Sequence, residues 1–510
     1  MATRKEYKIL TKQKGLALLI LIIILSLAFV SYALSGLSIS QVHINQSENT
    51  AIVLKEAKQA VINFAATYSD RGVDNDYGVF PHPETIKNGN YGNMPGNVGT
   101  QYTNVVGWLP WRSLDLPALK DESGTCLFYA VSGTYKLGGT VQAEMINEDS
   151  LGMFQIIDGA ANIVKGANLE DQVVALVIAP GAPHAIQARN PLVVQSNCGD
   201  DYLNVPAYLE GGGVADNSAP SPLDDKVDTF IHGTNDSSEA LLPYNDKFLT
   251  ITRDEVWKMV VERSDFKADM ENLTKALTEC LAKYANMGTN TSRRLPWPVN
   301  TDFSLVRTDY RDSDNYKDET AATLKGYSGR YPFNVANSNA AINAAIIGSD
   351  LFDVAACDNF GVDTEGEIIN LTSVVPITKY RKLWNNWKDH FFYALSKGYE
   401  PDNSGDATCA SSGACIKVTP PIIPGPTEYA AAVIFSGSRL GSATRNDKTV
   451  IADYLEDNKD LVFVNEALPI NRNGDQTYVY TDPQTDVVND IMFCIQDKAA
   501  GQPLDVVECI

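Results

Sequence analysis

The sequence predicts an α+β protein, a long N-terminal membrane helix followed by a duplicated head in which each unit is one helix packed on a small antiparallel sheet. Three observations carry this prediction. From Leu16 to Leu34 the chain is uncharged and apolar, broken only by Ser26, Ser31 and Tyr32. Leu54, Ala57, Val61, Phe64 and Tyr68 then recur every three or four residues, which places them on one face of an amphipathic helix. Beyond them, a set of short blocks occurs twice in the same order, the mark of an internal repeat.

Residues 1–15 form a basic leader with Arg4, Lys5, Lys8, Lys12 and Lys14. Residues 16–36 have the length and composition of a transmembrane helix. The next basic residue is Lys55, so the charge asymmetry predicts a cytoplasmic N-terminus and an exported body. Residues 37–68 are expected to continue the helix in amphipathic form. A cleaved signal peptide, with small residues in Tyr32-Ala33-Leu34-Ser35-Gly36, and a plain uncleaved anchor are competing readings of the same segment.

Gln13-Lys14-Gly15 followed directly by Leu16-Ala17-Leu18-Leu19 resembles the class III leader of type IV pilins and type II secretion pseudopilins. The resemblance implies that a prepilin peptidase cuts between Gly15 and Leu16, that the new N-terminus is methylated, and that the helix packs against other pilin or pseudopilin subunits. One position departs from the family: most members carry Glu at the fifth mature residue, and here that residue is Ile20. Tip-type pseudopilins lack the Glu too. The resemblance therefore implies a minor or tip-type subunit of a type IV pilus or type II secretion-like filament, acting in assembly initiation or surface contact. Its place would be the inner membrane with the head in the periplasm, or the cell surface. A membrane-anchored surface or periplasmic binding protein is the alternative, and a secreted hydrolase the third reading.

Residues 69–107 are rich in Gly, Asn, Asp and Pro and read as an irregular connection. Gly107-Trp108-Leu109-Pro110-Trp111 and the strand-like Leu127-Phe128-Tyr129-Ala130-Val131 follow. Val173 to Ala179, short, β-branched and bounded by Pro180-Gly181, reads as a core strand. The second half repeats this order. Leu273, Leu277, Leu281 and Tyr284 stand where the first amphipathic helix stood, and Leu295-Pro296-Trp297 follows as Leu109-Pro110-Trp111 did. Phe392-Tyr393-Ala394 answers Phe128-Tyr129-Ala130. Gly437 and Arg445 repeat the spacing of Gly181 and Arg189, and Tyr454-Leu455-Glu456 repeats Tyr208-Leu209-Glu210. The units inferred are residues 51–265 and 269–510. The same blocks resemble large pilin-like proteins of Gram-negative bacteria, a resemblance that implies no activity.

With 510 residues, the chain is long enough for more than one filled core. Its net charge of −22 argues against a nucleic-acid partner, since such a partner needs a basic surface that releases counterions. Eight cysteines in an exported chain suggest disulfides. Cys409 and Cys415 flank a short loop, and Cys494 with Cys509 would pin the C-terminus.

Of the five histidines, His43, His82, His184, His232 and His390, none is paired at metal-ligand spacing. His390 stands beside the core strand Phe391-Phe392-Tyr393 and reads as a satisfied, partly buried side chain. No nucleophile elbow or phosphate loop occurs, and no catalytic residue is assigned. Oxygen-rich loops are the candidate metal sites, with calcium as the ion. They are Asp309, Asp312, Asp314 and Asp318 (with Glu319), Asn471, Asn473 and Asp475, and a third group of Asp363, Glu365 and Glu367. Trp108, Trp111, Trp297, Trp384 and Trp387 are read as core anchors.

Overall fold

Two amphipathic helices and two strand cores organise the chain. The computed structural model describes residues 20–26, 48–71, 76–85, 90–96, 102–136, 145–183, 187–189, 197–198, 204–211, 215–223, 226–232, 244–300, 309–319, 326–342, 346–357, 380–403, 405, 407–409, 415–419, 427–440, 444–455, 477–479, 490–498 and 502–509.

Helix α1 spans residues 48–66, and its buried stripe is Leu54, Ala57, Val61 and Phe64. The first sheet follows, with β1 (Val105–Trp108), β2 (Phe128–Val131), β3 (Phe154–Ile157), β4 (Ile163–Lys165), β5 (Val173–Ala179), β6 (Asp228–Ile231) and β7 (Lys247–Thr252). β5 is buried at all seven positions. It lies between β2 and β7, antiparallel to both, and its first residue, Val173, meets Phe154 of β3. Period-two alternation divides the side chains. Tyr129, Val131, Ala175 and Val177 face a core shared with α1, whereas Phe128, Ala130, Leu176 and Ile178 face an outer cluster covered by Tyr208 and Leu209.

Helix α2 (Arg253–Val261) begins directly after β7 with a capping box, in which the Thr252 hydroxyl accepts from Glu255 N and the Glu255 carboxylate accepts from Thr252 N. Lys58 of α1 reaches both Glu255 Oε1 (2.5 Å) and the Thr250 carbonyl (2.8 Å). Helix α3 (Ser264–Ala285) buries Leu273, Leu277, Leu281 and Tyr284. Beyond α3 come β8 (Ser328–Arg330) and three short helices, α4 (Ala336–Ile342), α5 (Leu351–Val354) and α6 (Arg381–Trp387).

The chain continues with β9 (Phe391–Leu395), β10 (Ile416–Thr419), β11 (Thr427–Tyr429), β12 (Ala431–Phe435), β13 (Thr477–Val479), β14 (Ile491–Gln496) and β15 (Asp505–Glu508). Strands β15, β14, β12, β9 and β8 form one antiparallel sheet in that order. Tyr393 and Val433 face the same core as α1 and α3, while Phe392 and Ile434 face an outer cluster covered by Tyr454 and Leu455. The paths β1-β2-β5-β7 and β8-β9-β12-β14 thus share strand order and pairing sense. In both sheets a glycine opposite the central tyrosine admits a crossing backbone. A Cβ on Gly107 would lie 2.7 Å from the Glu84 carbonyl oxygen, and one on Gly329 would lie 1.9 Å from that of Val299.

Four disulfides close loops: Cys126–Cys198, Cys280–Cys357, Cys409–Cys415 and Cys494–Cys509.

Two expectations are corrected. Among the described residues no helix is long and apolar enough to cross a membrane, which overturns the long N-terminal membrane helix and the transmembrane reading. At 22 residues, α3 has the length but presents Lys267, Glu271 and Lys275 outward once per turn. In α1, Lys55 and Glu56 are exposed and Lys58 is taken up by Glu255 and the Thr250 carbonyl. Of residues 16–36 the structure describes 20–26, a seven-residue helical stretch, and residues 37–47 lie outside the described set. The sheets are also not purely small and antiparallel. β6 runs parallel to β3, and β13 runs parallel to β10 in a separate three-stranded sheet with β11. The long connections between these partners permit the crossover that parallel pairing needs.

Candidate functional site

Among the described residues, a buried cluster of charged side chains lies where a loop of the first half meets the start of β9. Trp384 and Trp387 are buried and fix α6. The three residues that link α6 to β9, Lys388, Asp389 and His390, are therefore drawn inside, each fully buried. The opposing loop, residues 145–151, is held in shape by its own half. Asn147 Oδ1 accepts from Asp149 N (2.9 Å), the Tyr135 hydroxyl donates to the Ser150 carbonyl (2.6 Å), and the Thr134 hydroxyl donates to the Leu151 carbonyl (2.6 Å).

From that loop the contacts cross to the second half. Asn386 Oδ1 accepts from Ile146 N (3.1 Å), while Asn147 Nδ2 donates to the Asn386 carbonyl (2.8 Å) and to Asp389 Oδ1 (3.1 Å). Asp149 Oδ2 receives Lys448 Nζ at 3.0 Å, the Tyr454 hydroxyl at 3.0 Å and His390 Nε2 at 3.2 Å. The other ring nitrogen, His390 Nδ1, lies 2.9 Å from Asp389 Oδ1, and Lys448 Nζ lies 2.5 Å from Asp389 Oδ2. Beside them Arg445 Nη1 pairs with Glu148 Oε1 at 2.6 Å.

The electrostatics follow from these contacts. Burial by itself would lower the pKa of His390, but the Asp389 and Asp149 carboxylates outweigh it and the net shift is upward. Burial would raise Asp149 and Asp389, but Lys448 and then His390 hold both carboxyls well below the usual range. Burial pushes Glu148 up, with Arg445 pulling the other way.

Among the described residues, Glu148, Asp149 and His390 are the one set of potential metal ligands whose ligand atoms lie within 4.8 Å of one another. The donor set does not fit a metal. The Lys448 ammonium already bridges Asp149 and Asp389, and His390 lies between the same two carboxylates, Nδ1 2.9 Å from Asp389 Oδ1 and Nε2 3.2 Å from Asp149 Oδ2. Arg330 adds a further buried cation, lying over the rings of Phe392 (5.0 Å) and Tyr454 (5.1 Å). Three carboxylates thus meet Lys448, Arg445, Arg330 and the imidazolium, and no charge deficit calls for another cation. What this arrangement can do is bind two parts of the chain together. A cleft of about 210 Å³ opens beside it, lined by Tyr102, Asn147, Asp149, Arg311, Arg445 and Lys448 among others.

The loops proposed for calcium are placed differently. Asp318 is buried and caps α4, accepting from Asn337 N (3.2 Å) and Ser338 N (2.5 Å). Asp312 is exposed and accepts from Asp314 N (2.9 Å), Asp314 is exposed, and Asp309 opens a one-turn 3-10 helix. Asn471, Asn473, Asp475, Asp363, Glu365 and Glu367 lie outside the described residues, as do Gly15, Leu16, His43 and His184. His82 is buried, and burial followed by the Lys136 charge lowers its pKa to about 4. His232 is likewise lowered by burial. Sequence reasoning missed Glu148, Asp149, Asp389 and Lys448. Its available signals were the shared Gly–Arg spacing, which marks Arg445, and the Asp389-His390 pair abutting a core strand.

The second half departs from the first at two points of the cluster. With Phe392-Tyr393-Ala394 set on Phe128-Tyr129-Ala130, His390 stands where the first half has Cys126, which is bonded to Cys198. Arg330, paired in register with Phe392, stands where Trp108 is paired with Phe128. The sequence matches no protein-family model, no curated protein and no solved structure, so no family is assigned.

Proposed function

We propose that the chain is a minor or tip-type subunit of a pilus or secretion-type filament, acting in assembly initiation or surface contact and performing no chemistry of its own. One observation supports this reading most. In the helical stretch of residues 20–26, the six consecutive apolar residues Ile20 to Leu25 are each between 47% and 61% exposed. A contiguous apolar surface of this kind marks an interaction site, and the partners proposed for it are other filament subunits. The leader Gln13-Lys14-Gly15 in front of it supplies the processing signal. The cluster around His390 fits the same reading, because its groups neutralise one another instead of aiming a nucleophile and base at an open site.

The test is Gly15→Trp in the native cells. The reading expects the variant to keep its leader while wild type loses it. Identical processing of both would sink it.

A further inference from the structure

We propose that Lys448 and Asp389 are joined by a self-formed isopeptide bond, an amide between Lys448 Nζ and Asp389 Cγ that closes with loss of water. The reaction occurs once, on the chain itself, and does not depend on the filament reading.

The contact between the two side chains is the starting observation. Lys448 Nζ lies 2.5 Å from Asp389 Oδ2, yet that oxygen is buried and accepts no hydrogen bond among the described residues. The ammonium donates instead to Asp149 Oδ2, at 3.0 Å. Its approach to Asp389 is therefore a close N···O contact without hydrogen-bond geometry, and the nitrogen is at most one C–O bond further from Cγ than from Oδ2. Such a placement suits attack of an amine on a carboxyl carbon. The other oxygen, Oδ1, faces two donors, His390 Nδ1 at 2.9 Å and Asn147 Nδ2 at 3.1 Å. The Asp149 and Asp389 side chains are fully enclosed and that of Lys448 is 10% exposed, so water is largely excluded. Tyr454 closes the site, with its ring 5.8 Å from Lys448 Nζ.

These groups supply the parts that amide formation needs. One ammonium proton passes to Asp389 Oδ2, leaving a neutral amine and a neutral carboxyl. The nitrogen lone pair then forms the bond to Cγ, and the charge that collects on Oδ1 is met by Asn147 Nδ2 and the Nδ1–H of His390. Asp149 takes a second proton from Nζ and returns it to Oδ2. The Cγ–Oδ2 bond breaks, and water leaves into the cleft that Asp149 and Lys448 line. An ammonium and a carboxylate become an amide and one water, with no oxidant, reductant or further reactant. One charge of each sign leaves the interior, so the balance of the remaining cluster is kept.

The repeat supplies an independent reason. In the first half Cys126, just before β2, is bonded to Cys198, which follows Arg189 in the chain. Asp389 stands just before β9, and Lys448 follows Arg445. Both halves thus bring the start of the corresponding strand against the segment that follows the repeated arginine. The first half ties the two covalently through sulfur. The second half has His390 in place of Cys126 and no cysteine between Arg445 and Tyr454, and its amine and carboxyl meet at the same place.

The test uses the full chain, unfolded, with its disulfides reduced, and digested with trypsin. The expected result is one linked product, residues 389–397 joined to residues 446–459, lighter than the two peptides together by one water and uncut after the acylated Lys448. Lys448→Arg and Asp389→Ala should each lose this product. Asp389→Asn should form the identical amide by releasing ammonia, so its linked product should have the wild-type mass. Asp149→Ala should slow formation about a hundredfold. A wild-type chain that yields residues 389–397 as a free peptide and is cut normally after Lys448 overturns the proposal, as does a linked product that persists in Lys448→Arg. Where a variant fails to fold, the wild-type product decides alone.

Discussion

Arg445 makes in the second half the hydrogen bonds that Arg189 makes in the first. Nε donates to the carbonyl preceding a tyrosine, Ala207 at 3.2 Å and Asp453 at 2.8 Å. Nη1 donates to a glycine carbonyl, Gly181 at 2.6 Å and Gly437 at 3.2 Å, and Nη2 to the residue before it, Pro180 at 3.3 Å and Ser436 at 3.1 Å. Each guanidinium also lies over that tyrosine, 5.3 Å from Tyr208 and 4.9 Å from Tyr454. Their remaining partners differ in charge: Arg189 donates to the neutral Thr125 Oγ1, Gln187 Oε1 and Tyr208 carbonyl, whereas Arg445 donates to the Ser438 carbonyl and pairs with the buried Glu148.

That difference sets the first prediction. Arg189→Met removes hydrogen bonds to carbonyls and should cost about 1–3 kcal/mol. Arg445→Met also strands a buried carboxylate and should cost about 3–5 kcal/mol. Lysine should rescue neither, because a point ammonium cannot span three carbonyls. Denaturant midpoints of the four variants check the order.

Gly329→Ala should destabilise by about 1–3 kcal/mol, since a Cβ there meets the Val299 carbonyl and the strand must shift. Gly107→Ala should follow it, with more room at the Glu84 carbonyl. Gly288→Ala meets nothing within 4 Å and should be close to neutral. Thermal melts of the three proteins decide this.

The disulfides should rank by loop length. Opening Cys280–Cys357, with a sequence separation of 77, should cost about 4 kcal/mol, and opening Cys409–Cys415, with a separation of 6, about 2 kcal/mol. Paired Cys→Ser variants in urea titrations provide the comparison.

The pH dependence of Asp149→Asn has a definite sign. The folded-state pKa of Asp149 is depressed, so its stabilising contribution is full above the unfolded carboxylate value, about 3.9, and fades as pH falls through the lower folded value. The variant should therefore lose about 3–5 kcal/mol near neutrality and converge on wild type only in strong acid. Stability curves of the two proteins from neutral to strongly acid pH test the convergence.

What was legible in the sequence was local. Val173 to Ala179 could be read as a buried strand because a short β-branched run has few other uses, and the Gly181–Arg189 and Gly437–Arg445 spacings survive because each arginine returns to its own glycine. The cluster at His390 was not legible. Asn147 and Asp389 are 242 residues apart, and no periodicity announces which loop will arrive opposite a histidine. Asp318 misled for a related reason, since an acidic residue in a polar run has the same appearance whether it awaits a cation or caps a helix such as α4. The apolar run at Leu16 to Leu34 matched a membrane span on composition alone. That criterion cannot tell a lipid-facing segment from one whose partner is another protein.

The most direct test of the proposed role is the N-terminal mass of the protein isolated from its own cells. The account predicts a chain that begins at a methylated Leu16. A chain that begins at Met1, or near Gly36, would contradict it.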